Sequence, residues 1–175
     1  MAAGAPGRRR IAAGLRRFAE FALAMLLAVM FLAFVAQIVF RYLLNFPIGW
    51  TSELTVIMWL WMVLWGAAFV VTEAEEIRFD LIYGGAGPRA RRAMAIVTAV
   101  AVLVLYGMSL PAVVDYVTFM KVQSTAYLKI RFDWLYAIYV IFAVAVLVRY
   151  AAILWWALRG RGPEAFDPTK ASSGV

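Results

Sequence analysis

Polarity along this chain alternates on a long wavelength: four apolar stretches of twenty or so residues are separated by short segments that hold most of the arginines. The first stretch runs from about Phe18 to Phe40, and at 1.5 Å per residue it covers about 34 Å, enough to cross a bilayer core of about 30 Å with some tilt. Arg41 closes it. The link LLNFPIGWTS, with helix-breaking Asn45, Pro47 and Gly49, leads into a second stretch from about Glu53 to Thr72. The third extends from about Ala93 to Asp115, with Pro111 expected to kink or loosen its last turns. The fourth spans about Trp134 to Leu158. This pattern predicts an all-α integral membrane protein in which one four-helix transmembrane domain occupies residues 1–160. Residues 161–175 are too polar to fold alone and are expected to form a disordered tail.

Composition sharpens the class. Of the 175 residues, 66% are apolar and 15% charged, against about 45–50% apolar in a soluble domain. Mean hydropathy is +0.85. The absence of cysteine and histidine removes disulfides, thiolate metal sites, His-ligated haem and any catalytic unit built on a Ser-His or Cys-His pair. Neither a cofactor nor a resident metal is expected. A net charge of +7 could point to nucleic acid, but there is no soluble basic face or reading motif to carry such binding. The five arginines before the first stretch resemble a secretory leader, yet the apolar run continues past the 7–15 residues of a cleaved signal. It reads as an uncleaved span.

The cations orient the bundle. The N-terminal segment holds Arg8, Arg9, Arg10, Arg16 and Arg17, the second connection Arg78, Arg89, Arg91 and Arg92, and the C-terminal end Arg149, Arg159, Arg161 and Lys170. Only Arg41, Lys121, Lys129 and Arg131 fall on the other side. Thirteen against four puts both termini in the cytoplasm and demands an even number of spans, independently of hydropathy. Trp50 and Trp134 mark the outer boundary, Trp155 and Trp156 the inner one. Between Arg8 and Phe18, the apolar Ile11, Leu15 and Phe18 share one face among arginines. That is the pattern of an interfacial helix on the lipid bilayer, although a disordered basic leader would also enforce topology.

Charges near the membrane are candidates for function because their insertion is costly. Glu20 follows Arg16 by one turn, so an ion pair at headgroup level is expected, and Asp115 sits near an outer boundary. No acid falls at the midplane, which argues against an ion site or proton relay. Glu53 follows Thr51 and Ser52 at the opening of the second span, where hydroxyl and carboxylate could cap free N–H groups; a clasp between Arg41 and Glu53 across the short hairpin is the other expectation. Trp59, Trp61 and Trp65 precede a notch of Gly66, Ala67 and Ala68. Bulky rings beside small residues fit internal packing or a docking surface for a second membrane protein, and the composition leans to docking.

The stretch Arg41 to Gly84 resembles the small, Q-type membrane subunit of tripartite ATP-independent periplasmic (TRAP) transporters. The resemblance rests on Arg41 and Tyr42 ending the first span, Trp50 and Glu53 opening the second, Gly66 with Ala67 and Ala68 near its inner end, and Ile77 and Asp80 before a basic loop. Glu76 stands where that family often has His, and LKIRFDWLY lacks a proline common before the last span. The resemblance implies a non-catalytic subunit, multi-pass in a bacterial inner membrane, without catalytic, substrate-binding or metal residues of its own. Its partners would be a large Na⁺-coupled membrane subunit, which moves an organic anion such as a carboxylate, and a periplasmic solute-binding receptor. Arg41, Trp50, Glu53, Trp61, Trp65, Gly66, Ala67 and Asp80 are then the candidate interface or structural residues. The competing readings are a self-sufficient small dimeric exporter or channel using Glu20 or Glu53, and an anchor for an unrelated enzyme complex.

The charge asymmetry makes a direct prediction. Reporters fused after Val175 or inserted in the Gly84–Pro88 segment should read cytoplasmic, and one at Gln123 periplasmic; a periplasmic C-terminus would overturn the four-span orientation.

Overall fold

A segment that crosses hydrocarbon must satisfy every backbone N–H and C=O within itself, and a helix does so. A computed structural model of the chain, which describes residues 6–46, 48–71 and 87–160, is accordingly helical throughout its apolar stretches. The helices are α1 (Pro6–Ile38), α2 (Trp50–Trp65), α3 (Pro88–Phe119) and α4 (Phe132–Leu158). π-helical turns extend α1 over Val39–Leu43 and α2 over Gly66–Val70, and a 3-10 turn, Met120–Val122, extends α3. Among the described residues four such segments are long and apolar enough to cross a membrane: Ala13–Leu43, Trp50–Val70, Arg89–Val122 and Phe132–Leu158.

Several boundaries differ from those the pattern predicts. α1 begins at Pro6 and runs without a break through Arg16, Arg17 and Phe18, so the basic leader continues the first spanning helix instead of forming a separate interfacial one. Nothing in that segment would stop a helix. Proline suits a first helical position, and Ala, Leu and Arg propagate the turn well. At 33 residues, α1 is about 50 Å long and exceeds the hydrocarbon thickness. The helix ends through a wider turn, in which Leu44 N–H bonds to Val39 O at 3.2 Å and Phe46 N–H to Phe40 O at 2.9 Å. Asn45 then adopts a left-handed conformation, φ 49°, which asparagine tolerates better than most residues. α2 starts at Trp50, three residues before the predicted boundary, so the link is shorter than expected. α3 continues through Pro111 to Phe119. The tail 161–175 and the connection 72–86 lie outside the described residues.

The chain groups into two compact units, Met1–Val71 with Ala112–Phe142, and Thr72–Pro111 with Ala143–Val175. In the first unit α1 packs along α2. Small residues bring the backbones together: Ala19, Ala33 and Ala68 are buried, and Gly66 faces Leu23, which would lie 3.4 Å from a Cβ placed there. Trp65 donates its indole N–H to the Ala19 carbonyl at 3.2 Å and packs its ring 4.6 Å from that of Phe69. Trp61 donates to the Leu135 carbonyl at 3.1 Å, beside the fully buried Ile138. Tyr136 gathers Tyr116, Phe132 and Tyr139 around it at ring separations of 6.5, 5.6 and 6.0 Å.

The second unit is lined by small side chains as well, with Ala95, Ala99, Ala143 and Ala157 buried. Arg92 donates from Nη2 to the Leu158 carbonyl at 2.9 Å, filling one of the carbonyl positions that the end of α4 would leave open. Arg159 lies 4.1 Å over the Trp155 ring, and Gly160, at φ 85°, supplies the left-handed residue that ends the helix. Large apolar side chains such as Phe31, Leu105 and Met108 remain exposed, as surfaces meant for lipid or another membrane protein should be.

Close approach at Gly66 yields a graded prediction. Gly66→Ala places its methyl in ordinary contact with Leu23 and should leave the melting temperature within a few degrees, whereas Gly66→Leu should force α1 and α2 apart and lower it clearly. Thermal unfolding of the detergent-solubilised protein, read by circular dichroism, tests this; equal stability of the two variants would remove Gly66 from the contact.

Candidate functional site

The first turn of α2 carries a cluster of polar hydrogen bonds. Gly49 occupies the N-cap position and makes no side-chain cap, so Thr51 and Ser52 fall inside the first turn. From there their hydroxyls reach backward to carbonyls, Thr51 to Ile48 O at 3.2 Å and Ser52 to Gly49 O at 2.7 Å. Neither caps a free N–H, contrary to the sequence expectation, because the helix starts earlier than the hydroxyls suggested. Thr51 is fully buried, and its own carbonyl accepts from the Thr55 hydroxyl at 2.8 Å.

Glu53 follows, and its partner is remote. Its two carboxylate oxygens accept the backbone N–H groups of Tyr127 and Leu128, each at 3.0 Å. These amides belong to the loop between α3 and α4. That loop is also tied to itself: Ser124 and Arg131 form an antiparallel bridge, Thr125 N–H bonds to Ile130 O at 2.9 Å and Phe132 N–H to Gln123 O at 3.0 Å. Thr125 is buried, and its hydroxyl accepts from Ile130 N–H at 3.1 Å. Arg131 and Asp133 pair through Nε and Oδ1 at 3.1 Å. Lys129 closes the turn at φ 54°, a left-handed conformation that costs a residue with a Cβ about 1–2 kcal/mol. The Tyr127 ring covers Gly49 so closely that any side chain at Gly49 would have to displace it.

The expected Arg41–Glu53 clasp is absent among the described residues. Glu53 is instead saturated by two amides, and the Arg41 guanidinium stands 5.9 Å from the centre of the Tyr42 ring. Two charge-assisted bonds to fixed amides hold a carboxylate in place with little loss of side-chain freedom beyond its own, which a flexible arginine cannot match. Glu20 takes the place anticipated for it, accepting from Arg16 Nε at 2.8 Å on an exposed surface. Trp50 is exposed beside the clasp and Trp134 more so.

Trp61, Trp65 and Gly66 are all engaged inside the chain, through Leu135, Ala19 and Leu23 respectively. Their contacts are those of internal packing, and Trp59 is the exposed ring of the three. Ala67 is half-buried beside the buried Ala68. Asp80, together with Ile77 and Glu76, lies outside the described residues. What sequence reasoning missed is the loop Gln123–Arg131: it carries no Gly, Pro or Asn to announce a turn, and its amides meet Glu53 across more than seventy positions.

The model of the DctQ component of tripartite ATP-independent periplasmic transporters matches residues 30–160. The chain belongs to the DctQ family. It is also similar to the C4-dicarboxylate TRAP transporter small permease protein DctQ of Vibrio cholerae serotype O1, with 38% identity over 93 residues. That match covers 50% of this chain and 40% of the Vibrio protein. The DctQ match takes in the last part of α1, all of α2, α3 and α4, and therefore both halves of the Glu53 clasp.

The clasp predicts a difference between two substitutions. Glu53→Ala removes both acceptors and Glu53→Gln keeps one, so amide hydrogen exchange at Tyr127 and Leu128 should quicken in both, more in the alanine variant, with the interior of α2 still protected. Unchanged exchange at both amides in either variant would mean that the loop holds itself.

Proposed function

We propose that this DctQ-family chain is the small permease subunit of a TRAP-type secondary transporter for organic anions, multi-pass in a bacterial inner membrane with both termini cytoplasmic. It braces a large Na⁺-coupled membrane subunit and contributes outer surface on which a periplasmic solute receptor docks. It carries out no catalysis itself. The observation that carries this reading is the family match over residues 30–160, which spans the clasp and all of α2, α3 and α4.

The geometry supports a supporting role over an autonomous one. An exporter would need an acid that can bind and release an ion from within the membrane. Glu20 is paired with Arg16 at an exposed position, and Glu53 is committed to two loop amides. Among the described residues the broken midplane helices that build transporter sites have no counterpart, since the π-helical turns close the ends of their helices. The broad exposed apolar faces of α1 and α3 offer a large partner the surface it needs. The anion class follows the family; the C4-dicarboxylates in the Vibrio relative's name are one instance of it, and solute choice belongs to the receptor and the large subunit.

Reconstitution separates the two possibilities. In liposomes with an imposed sodium gradient, the purified chain alone should take up no carboxylate, while the same chain with its large subunit and receptor should. Robust uptake by this chain alone would establish the exporter reading and overturn the one proposed.

A further inference from the structure

A groove of about 480 Å³ opens between the loop-side ends of α3 and α4, within the first unit. Ala112, Val113, Tyr116 and Val117 line it from α3, Tyr136 and Tyr139 from α4. It lies at the edge of the hydrocarbon, since Tyr116 falls just beyond the apolar block 93–115 and Tyr139 is about 7.5 Å inward of Trp134. At that depth a phenolic hydroxyl needs a hydrogen-bond partner. None of the three tyrosine hydroxyls has one among the described residues, and Tyr116 and Tyr139 are both exposed.

Charge flanks the groove. Asp115, exposed beside Tyr116 on α3, forms no ion pair among the described residues. The Thr118 hydroxyl goes to the carbonyls of Val114 and Asp115, each at 2.9 Å, and not to that carboxylate. The other acids at this end are engaged, Glu53 by loop amides and Asp133 by Arg131. Lys121 is exposed at the end of the same helix, and helical spacing sets it and Asp115 on opposite flanks of the groove face. Opposite charges on the two flanks suit a zwitterion.

Size narrows the occupant further. A helix about 10–12 Å across, rising 5.4 Å per turn, would fill the groove with about one turn, so the space is too short to seat another span. A single acyl chain needs no such length or width. An anionic headgroup would meet Asp115 with like charge, and a choline headgroup has no N–H to give it.

We propose that this groove holds a zwitterionic phospholipid whose headgroup carries a primary ammonium. The ammonium sits against Asp115 and the phosphate toward Lys121, the glycerol ester oxygens accept from the tyrosine hydroxyls, and one acyl chain runs along Ala112 and Val113. With both termini cytoplasmic, as proposed above, the lipid belongs to the outer leaflet; its binding rests on neither that orientation nor the transport function.

Native mass spectrometry of the detergent-solubilised full chain tests this, with phosphatidylethanolamine, phosphatidylcholine and phosphatidylglycerol of identical acyl chains added in turn. Phosphatidylethanolamine should bind about threefold more tightly than phosphatidylcholine, as one exposed ion pair allows. Asp115→Asn should bring phosphatidylethanolamine down to the phosphatidylcholine level and leave phosphatidylcholine unchanged. Tyr116→Phe with Tyr139→Phe should weaken all three lipids alike, because the ester groups are common to them. Val113→Trp should fill the groove and remove the bound lipid, with its melting temperature confirming a folded chain; should that variant unfold, the asparagine and phenylalanine variants still decide. Equal retention of the three lipids by the wild-type chain, or a phosphatidylethanolamine preference that survives Asp115→Asn, would overturn the proposal. Displacement by soluble glycerophosphoethanolamine would overturn it too, by showing a headgroup site that needs no chain. So would loss of the lipid from the complex with the large subunit, which would make the groove a seat for that subunit.

Discussion

In hydrocarbon no backbone or indole N–H can be left to water, and among the described residues several polar groups that escape the regular helix ladder are met by specific partners. Trp65 and Trp61, carried at membrane depth, spend their N–H groups on the carbonyls of Ala19 and Leu135. The end of α4 offers an open carbonyl at Leu158, and Arg92 fills it. Where α1 and α2 stop, the ladder shifts to a wider turn, so that Leu44 and Val71 still find acceptors. The loop that must leave the ladder altogether finds Glu53. Helix positions in both units follow from these bonds as much as from apolar contact, because apolar surface gains nothing by leaving lipid for protein.

The Glu53 clasp shows how one charged residue can be structural at the edge of a membrane. A carboxylate opening a helix is already favoured by the free N–H groups there. Here the same charge also gathers two amides from a distant loop, and the cost of placing an acid near hydrocarbon is offset by two charge-assisted bonds. This accounts for the Trp-then-acid pattern at the opening of the second span without invoking transport chemistry at that carboxylate. It also frees Arg41, which faces the Tyr42 ring.

Much of this was legible in the residues. Four apolar blocks, each long enough for a bilayer, required four helices, because no other open structure satisfies the backbone there, and the i,i+4 spacing of Arg16 and Glu20 placed their ion pair. The order of Arg41, Tyr42, Trp50, Glu53 and the Gly66 notch was enough to point to the family. All of these are local or one-dimensional properties, carried by composition, length and spacing. Tertiary structure alone decided the partners: Glu53 with Tyr127 and Leu128 in place of Arg41, Trp61 and Trp65 turned into the chain, the hydroxyls of Thr51 and Ser52 reaching backward. Each of those choices depends on which loop or helix arrives beside a given side chain, and in a membrane that is governed by close packing of small residues and by competition among a few donors and acceptors, whose outcome no pattern along the chain records.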